Sequence, residues 1–308
     1  MNLLKNAEEF RQYAGSSVVT IGVFDGVHRG HRAIIQTCVE RSEEHEVPSV
    51  VLTFDRNPQK VLSDEFPCVL TSREYKLDLI EDLGAEYTIM VRFDKCFASL
   101  TPGEFCRYVL AENLGAVLVC VGKNFRFGAG GGGDVVLLAG EGERLGFGVE
   151  IVPLVTSERG TISSTLIRRM IKEGRVDAVT EALGRPYSVV GRVVTGHSRG
   201  KALGFPTANL RLERDFCVPT DGVYAGKAGV EGRKYLCAAN VGSNPTFGDT
   251  ETVVEVYIID FEGDIYGESI DVEFHHRLRD ETAFDSENEL ITQMESDVSR
   301  ARALLEKP

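Results

Sequence analysis

Two histidines, His28 and His31, stand three positions apart in a glycine-rich segment over residues 22–31. The segment follows an apolar run, residues 18–23, so the pattern predicts a strand that ends in a glycine turn and leads into a helix. In α/β proteins this junction binds phosphate, because the backbone can approach closely and the first N–H groups of the helix face the anion. Two imidazoles there could stabilise charge on an α-phosphate while pyrophosphate leaves, which indicates nucleotidyl transfer.

The residues around the histidines narrow this interpretation. An isolated H-x-x-H pair more often caps a helix or satisfies polar groups of the core. Here residues 22–31 read GVFDGVHRGH, which resembles the G-x-F-D-G-x-H-x-G-H signature of the bacterial bifunctional riboflavin kinase/FMN adenylyltransferase family, also called FAD synthetase. The resemblance implies that both histidines are catalytic and that the nucleotide is bound by Gly22, Phe24, Asp25 and Gly26.

Two patterns divide the chain. Up to about residue 183, short β-branched runs alternate with helical patterns, which is typical of a doubly wound parallel sheet. Within this half, Thr101, Pro102 and Glu104 predict the start of a helix with a capping box. Beyond Gly184, strand patterns follow one another through glycine-rich turns, which fits a small antiparallel barrel or sandwich with one final amphipathic helix. We expect an α/β nucleotidyltransferase domain over residues 1–184 and a β-barrel kinase domain over residues 185–308.

Further segments of the first half match the same family. Phe54 ends the second predicted strand and offers a flat face to a flavin ring, the alternative being a core aromatic. Family members usually carry a proline where this chain has Arg56. Residues 121–128 resemble the family's G-x-[DN]-F-x-F-G segment, which implies nucleotide binding by Asn124.

The segment ISSTLIR, residues 162–168, predicts a helix start whose hydroxyls cap the helix. It also resembles the family's triphosphate-binding signature, which implies that the outgoing pyrophosphate is bound by Ser163, Ser164, Thr165 and Arg168. The glycine run from Gly128 to Gly133 has two interpretations: a cradle of N–H groups for phosphate, or a flexible loop without the G-K-[ST] of a P-loop.

A second set of chemistry-bearing residues lies in the other half. Thr207 and Asn209 alternate on an extended chain, so their oxygens point the same way and could bind a magnesium ion that accompanies ATP. A turn followed by an ordinary strand is the alternative for this short stretch. The longer string over residues 200–210, GKALGFPTANL, resembles the riboflavin kinase signature, which adds Gly200, Lys201 and Gly204 as nucleotide-binding residues.

Glu255 lies in a β-branched strand pattern, where alternation alone would make it a solvent-facing carboxylate. In the resembling family the glutamate at this place is the base near the ribityl hydroxyl of riboflavin, and that role is expected of Glu255. Residues 277–281 resemble the family's L-R-x-E region, which makes Arg279 a flavin-side candidate.

Composition limits the partners. The chain has 308 residues and a formal net charge of −13, which disfavours bulk binding to nucleic acid or anionic membranes. Small phosphate ligands need only local positive charge, and the candidates for it are Lys76, Lys123, Arg126, Arg168 and Lys201. The amino terminus lacks an apolar stretch of signal-peptide length, and seven scattered cysteines without C-x-x-C indicate reduced thiols, so we expect a cytoplasmic protein.

Together the resemblances imply a magnesium-requiring enzyme with ATP as co-substrate, which phosphorylates riboflavin to FMN and adenylylates FMN to FAD. One alternative retains only one of these activities, and another is a noncatalytic flavin or nucleotide sensor. The sequence leaves the oligomeric state open.

Overall fold

The computed structural model describes residues 1–62, 67–195, 204–212, 215–246 and 249–306. Contacts between Cα atoms group the chain into two units. One comprises Met1–Pro67 and Arg73–Ser163, and the other comprises Cys68–Ser72 and Ser164–Pro308.

The first unit is built on a six-stranded parallel sheet with the order β1-β4-β3-β2-β5-β6. Its strands are β1 (Asn2–Leu4), β2 (Ser17–Ile21), β3 (Ser49–Phe54), β4 (Tyr87–Val91), β5 (Ala116–Gly122) and β6 (Gly148–Val152). Its helices are α1 (Ala7–Phe10), α2 (Arg29–Glu44), α3 (Gln59–Leu62), α4 (Arg73–Glu81), α5 (Lys95–Ala98), α6 (Pro102–Glu104, continued by a π-helix over Phe105–Asn113) and α7 (Val135–Leu145). A two-stranded hairpin, β7 (Thr156–Ser157) and β8 (Gly160–Thr161), follows.

Helices cover both faces of this sheet. Successive residues of β3 belong to different hydrophobic clusters: Val50 and Leu52 pack with α1 and the π-helix, whereas Val51 packs with Ile35 of α2 and Ile80 of α4. A parallel sheet covered on both faces is what near-continuous apolar strands predict. The predicted capping box at Thr101 and Glu104 is present as well.

The second unit contains a closed antiparallel barrel with the order β10-β13-β12-β11-β14-β9. Its strands are β9 (Tyr187–Val194), β10 (Thr207–Leu212), β11 (Gly222–Val230), β12 (Arg233–Thr246), β13 (Asp249–Ile258) and β14 (Ser269–Arg279), and its helices are α8 (Ser164–Lys172), α9 (Val176–Leu183) and α10 (Glu287–Leu305). The fold class predicted from the sequence, a parallel α/β sheet followed by a β-barrel and a terminal helix, is confirmed.

Helices α8 and α9 group with the barrel by contact. Helix α9 packs on β9 and β14, where Asp177 lies 3.0 Å from the imidazole of His276. The domain boundary near residue 184, between the two predicted enzymatic domains, stays a prediction. The contacts divide the chain elsewhere, between Ser163 and Ser164. Within the part of the chain that the structure describes, no helix has both the length and the apolar character to cross a bilayer.

Two candidate active sites

The loop after β2 carries unusual backbone torsions. Phe24 has φ +49° and Val27 has φ +37°, a region that side-chain-bearing residues rarely occupy, β-branched ones least of all. Both side chains are buried, at 1% and 0% exposure, in the cluster that includes Ile35 and Val51. Burial of these two side chains therefore holds the loop in a strained shape, as is common at functional sites.

His28 is the N-cap of α2. Its Nδ1 accepts a hydrogen bond from the backbone N–H of His31 at 3.2 Å. A nitrogen that accepts a hydrogen bond carries no proton, so in the neutral ring the proton is on Nε2, which becomes a donor. The helix-capping alternative is correct for His28, and the cap orients the second nitrogen rather than removing the residue from chemistry.

The two imidazoles form a stacked pair. Their ring centroids lie 3.5 Å apart with 19° between the planes, and the Phe24 ring meets His31 edge-on at 5.2 Å. His31 Nδ1 is buried and has no hydrogen-bond partner. Burial, the neighbouring His28 and the ammonium of Lys76, in that order, hold the pKa of His31 well below its usual value of 6.5. His31 is therefore neutral at pH 7 and retains ring nitrogens for a ligand.

Lys76 of α4 is buried at 8% exposure beside this loop. Its Nζ donates hydrogen bonds to the carbonyls of Val23 (3.3 Å) and Phe54 (3.0 Å) and to the hydroxyl of Thr53 (3.2 Å). Thr53 in turn donates to the Val23 carbonyl at 3.1 Å. One ammonium group thus joins the carboxyl ends of β2 and β3.

The other nucleotide-binding candidates of this unit lie at the same edge of the sheet. Gly22 directly follows β2 and lies against the Phe24 ring, where an added Cβ would come within 2.9 Å of that ring. Asn124 follows β5, the neighbour of β2, and is exposed. Asp25 is half-buried and Gly26 is buried with φ +86°. Because β2 and β5 are parallel neighbours, their carboxyl ends, which Gly22 and Asn124 follow, lie at the same edge of the sheet.

Phe54 is largely buried, at 9% exposure. Its ring packs edge-on against Phe93 at 5.2 Å and Phe97 at 5.8 Å. Phe54 therefore has the surroundings of a core aromatic residue, which was the alternative interpretation of the sequence. A contact between Phe54 and flavin stays a prediction.

The glycine run is a closed turn. The N–H groups of Gly131, Gly132 and Gly133 donate to the carbonyls of Gly128, Ala129 and Phe127, and the Ala129 N–H donates to Leu100. These four donors are used inside the protein, so they cannot cradle a phosphate in this conformation. Neither alternative offered by the sequence, a cradle or a flexible loop, matches this ordered turn.

The predicted triphosphate signature lies at the start of α8. The helix begins at Ser164, so Ser163 precedes its first residue, and Thr165 is exposed in its first turn. Arg168 donates from Nε to the carbonyl of Cys68 at 2.7 Å. In the first unit, the carbonyl of Ile162 lies 3.7 Å from where a Cβ on Gly30, at the start of α2, would be.

In the second unit, the candidates lie on one face of three neighbouring strands. Asn209 of β10 is directly opposite Glu255 of β13, which is directly opposite Asn240 of β12. The alternate residues of these strands, among them Ala208, Val254, Val256, Ala239 and Val241, are buried on the other face. Opposed side chains on adjacent strands are about 5 Å apart at Cβ, so an amide, a carboxylate and a second amide form a row.

Thr207 extends this row along β10. It is opposite Tyr257, whose ring meets Phe205 at 5.1 Å. Gly204, at the start of this segment, has φ +84°, a conformation that glycine adopts without strain. Gly200 and Lys201, the remaining nucleotide-binding candidates, lie outside the described residues.

Arg279 is held by the final helix. Its guanidinium lies 2.9 Å from the carboxylate of Asp297, whose side chain is 4% exposed. This pair fastens α10 to β14, and Ala301 of α10 packs against Val223 and Ala225 nearby. The structure thus gives Arg279 an anchoring contact, while its flavin contact stays a prediction.

Two residues of these sites were not assigned from the sequence. Lys76 was only one of several cations, because helical position does not reveal which lysine is buried. Asn240 lies opposite Glu255 because of the strand register, which the pattern of a single strand does not specify.

Comparison with known proteins decides the family. The family model for FAD synthetase matches residues 10–166, and that for riboflavin kinase matches residues 183–305. This chain belongs to the bifunctional riboflavin kinase/FMN adenylyltransferase family. It contains both transferase domains and is an enzyme of flavin cofactor biosynthesis, as the sequence resemblance predicted.

Relatives match nearly the whole chain. The bifunctional riboflavin kinase/FMN adenylyltransferase of Escherichia coli is 37% identical over 92% of this chain and 91% of its own length. The protein of the same name from Listeria monocytogenes is 38% identical over 95% of this chain and 93% of its own length. A crystal structure described as a macrolide-efflux protein from Streptococcus pneumoniae has a TM-score of 0.88 at 34% identity, covering 97% of this chain and 98% of that one. Efflux is the description of that protein only.

Proposed function

We propose that the chain performs two ATP-dependent steps in succession, phosphorylation of riboflavin to FMN by residues 185–308 and adenylyl transfer to FMN by residues 1–184. The observation that best supports adenylyl transfer is the stacked pair of His28 and His31 at the strand-to-helix junction. The Nδ1 atom of His31 is buried there and has no hydrogen-bond partner among the described residues. Support for the first step is the row of Asn209, Glu255 and Asn240 across three strands.

In adenylyl transfer, a phosphate oxygen of FMN attacks the α-phosphorus of ATP. A new phosphorus–oxygen bond forms, the bond to the β-phosphate oxygen breaks, and pyrophosphate leaves. Nε2–H of His28 and a ring N–H of His31 donate to the oxygens that gain negative charge, while Ser163, Ser164, Thr165 and Arg168 hold the outgoing pyrophosphate. Alignment and charge stabilisation carry this reaction without a covalent intermediate on the enzyme.

In the kinase step, the carboxylate of Glu255 accepts the proton of the primary ribityl hydroxyl as that oxygen attacks the γ-phosphorus of ATP. The new phosphorus–oxygen bond forms, the bond from the γ-phosphorus to the β-phosphate oxygen breaks, and ADP leaves. Asn240, directly opposite Glu255 on the neighbouring strand, orients the carboxylate. Nucleotide binding in this step is the role that the resemblance implies for Gly200, Lys201 and Gly204.

Magnesium fits the second site by the chemistry of its donors. A hydroxyl from Thr207 and an amide oxygen from Asn209 alternate on one face of β10, and hard oxygen ligands are what Mg²⁺ prefers. Bound there with ATP, the ion would neutralise phosphate charge. Thr207 and Asn209 would hold it, and Glu255 keeps its separate role as base.

The proposed setting is a cytoplasmic enzyme of small-molecule substrates without nucleic-acid partners. A net charge of −13 and seven cysteines without C-x-x-C support that setting.

The decisive experiment incubates the purified chain with riboflavin and Mg-ATP and separates the flavins by chromatography. We expect FMN to appear first and FAD to follow. FMN without FAD would remove the role of the first domain, and FAD only from supplied FMN would remove that of the second. A protein that bound flavin and formed neither product would be a sensor.

A further inference from the structure

A buried lysine without an assigned role stands behind the histidine pair. Removing an ammonium group from water costs several kcal/mol unless hydrogen bonds and charge replace the water. Lys76 is 8% exposed and donates to three neutral oxygens, those of Val23, Thr53 and Phe54. These hydrogen bonds place the ammonium group beside the loop that carries the two histidines.

The three acceptors lie at the base of the catalytic loop. Val23 directly precedes Phe24, the first residue with positive φ, and the Val23 carbonyl also accepts from Thr53. Thr53 and Phe54 are the last residues of β3. The ammonium therefore fixes the point from which the strained loop departs, and the loop ends at the N-cap residue His28.

The charge of Lys76 also acts on the imidazoles. The titratable groups that act on His31 are His28, from the turn before α2, and Lys76, from α4; both lower the pKa of His31, in addition to its burial. A fixed positive charge at this place disfavours protonation of His31. It also attracts a polyphosphate toward the same corner of the sheet.

We propose that Lys76 is a positioning residue for adenylyl transfer, which ties the Phe24–His28 loop to the ends of β2 and β3 and places a fixed positive charge beside the imidazole pair. This inference rests on the proposed role of the histidines. It adds that His31 is kept neutral, and the loop kept in place, by a group that does not touch the reacting atoms.

The test uses the full chain and three variants. Lys76→Met removes the charge and keeps the length of the side chain. Lys76→Arg keeps the charge but changes the hydrogen-bond geometry. Lys95→Met is the matched control, because it makes the same substitution at an exposed lysine of the first unit. The riboflavin kinase reaction, measured in each preparation, reports whether the other domain is intact.

For Lys76→Met we expect kcat of adenylyl transfer to fall about 100-fold, since a small displacement of a catalytic group has an effect of that order. We also expect the acidic limb of its pH–rate profile to move upward, toward the usual histidine pKa, because a positive neighbour has been removed. Lys76→Arg should keep the acidic limb of the wild type with a reduced kcat. Lys95→Met should change neither by more than about threefold, because it alters only an exposed side chain.

A purely structural Lys76 would lower thermal stability without moving the pH profile, and that result would overturn the inference. The inference would also be overturned if Lys76→Met had the kcat and the pH–rate profile of the wild type. If Lys76→Met does not fold, the pH profile of Lys76→Arg decides, because a shift in that charge-retaining variant contradicts the electrostatic role. If His28→Ala leaves FAD formation intact, the proposed function itself fails. If His28→Ala abolishes FAD formation and Lys76→Met has no effect on it, only the inference about Lys76 fails.

Discussion

The two candidate sites obtain their geometry in different ways. The first lies within ten consecutive residues, 22–31, on a loop whose shape depends on two buried side chains with positive φ. The second takes Asn209, Glu255 and Asn240 from three strands, and the ladder of the barrel brings them together. The first site is local in sequence but depends on distant anchors such as Lys76, whereas the second is dispersed in sequence but rests on regular structure.

This contrast predicts that substitutions in the second site change chemistry without changing fold. Glu255→Gln should reduce FMN formation about 1,000-fold, because an amide cannot accept the ribityl proton. FAD formation from supplied FMN should be unchanged when the products are separated by chromatography. Glu262→Gln, which removes an exposed carboxylate of the same barrel, serves as the control. Loss of both activities in a folded Glu255→Gln protein would contradict the division into two sites.

In the first site, one residue is expected to serve fold and chemistry together. His28→Ala should reduce adenylyl transfer by about 100- to 1,000-fold, through loss of a donor to the transition state, and should leave the kinase reaction intact. It should also destabilise the start of α2 by about 1 kcal/mol, because a cap is lost.

His28→Asn separates these two effects. Asparagine is a good N-cap, so stability should return while adenylyl transfer stays low. Recovery of FAD formation in His28→Asn would mean that His28 acts only as a helix cap.

The second unit has its own dependence on a buried pair. Asp297→Asn leaves the guanidinium of Arg279 without its carboxylate and should lower the free energy of unfolding by about 3 kcal/mol, measured by urea denaturation. Asp260→Asn, which breaks the exposed pair with Arg302, should have no measurable effect. If Arg279 also contacts flavin, Arg279→Met should raise KM for riboflavin more than Asp297→Asn does.

The smallest expected effect concerns the glycine turn of the first unit. Gly128 has φ +72°, and a Cβ there would lie 2.8 Å from Pro102, so Gly128→Ala should cost about 2 kcal/mol. Gly130 has φ +63° with open space around it, and Gly130→Ala should cost about 1 kcal/mol. If thermal or urea unfolding showed the same loss of stability for both variants, Pro102 would have to move to make room for the new Cβ.

The sequence predicted the features that depend on local pattern. Alternating apolar runs identified the parallel sheet, and the Thr101–Glu104 capping box was confirmed. The string from Gly22 to His31 identified a strand-to-helix junction, which the structure has between β2 and α2.

The features that the sequence could not predict depend on tertiary contacts. Positive φ at Phe24 and Val27 is held by burial in a core that forms only when α2 and α4 pack on the sheet. The burial of Lys76 has the same origin. In the barrel, a period of two indicates which residues share a face, but Asn240 becomes the partner of Glu255 only through register.

The way the barrel closes has a consequence for synthesis of the chain. Strand β9 pairs with both β10 and β14, so the first strand of the barrel to leave the ribosome waits for the last before its second edge is covered. Until then several strands expose unpaired backbone groups, the kind of surface that recruits other chains. Chains that end before residue 269 should therefore aggregate rather than accumulate as soluble, kinase-dead protein.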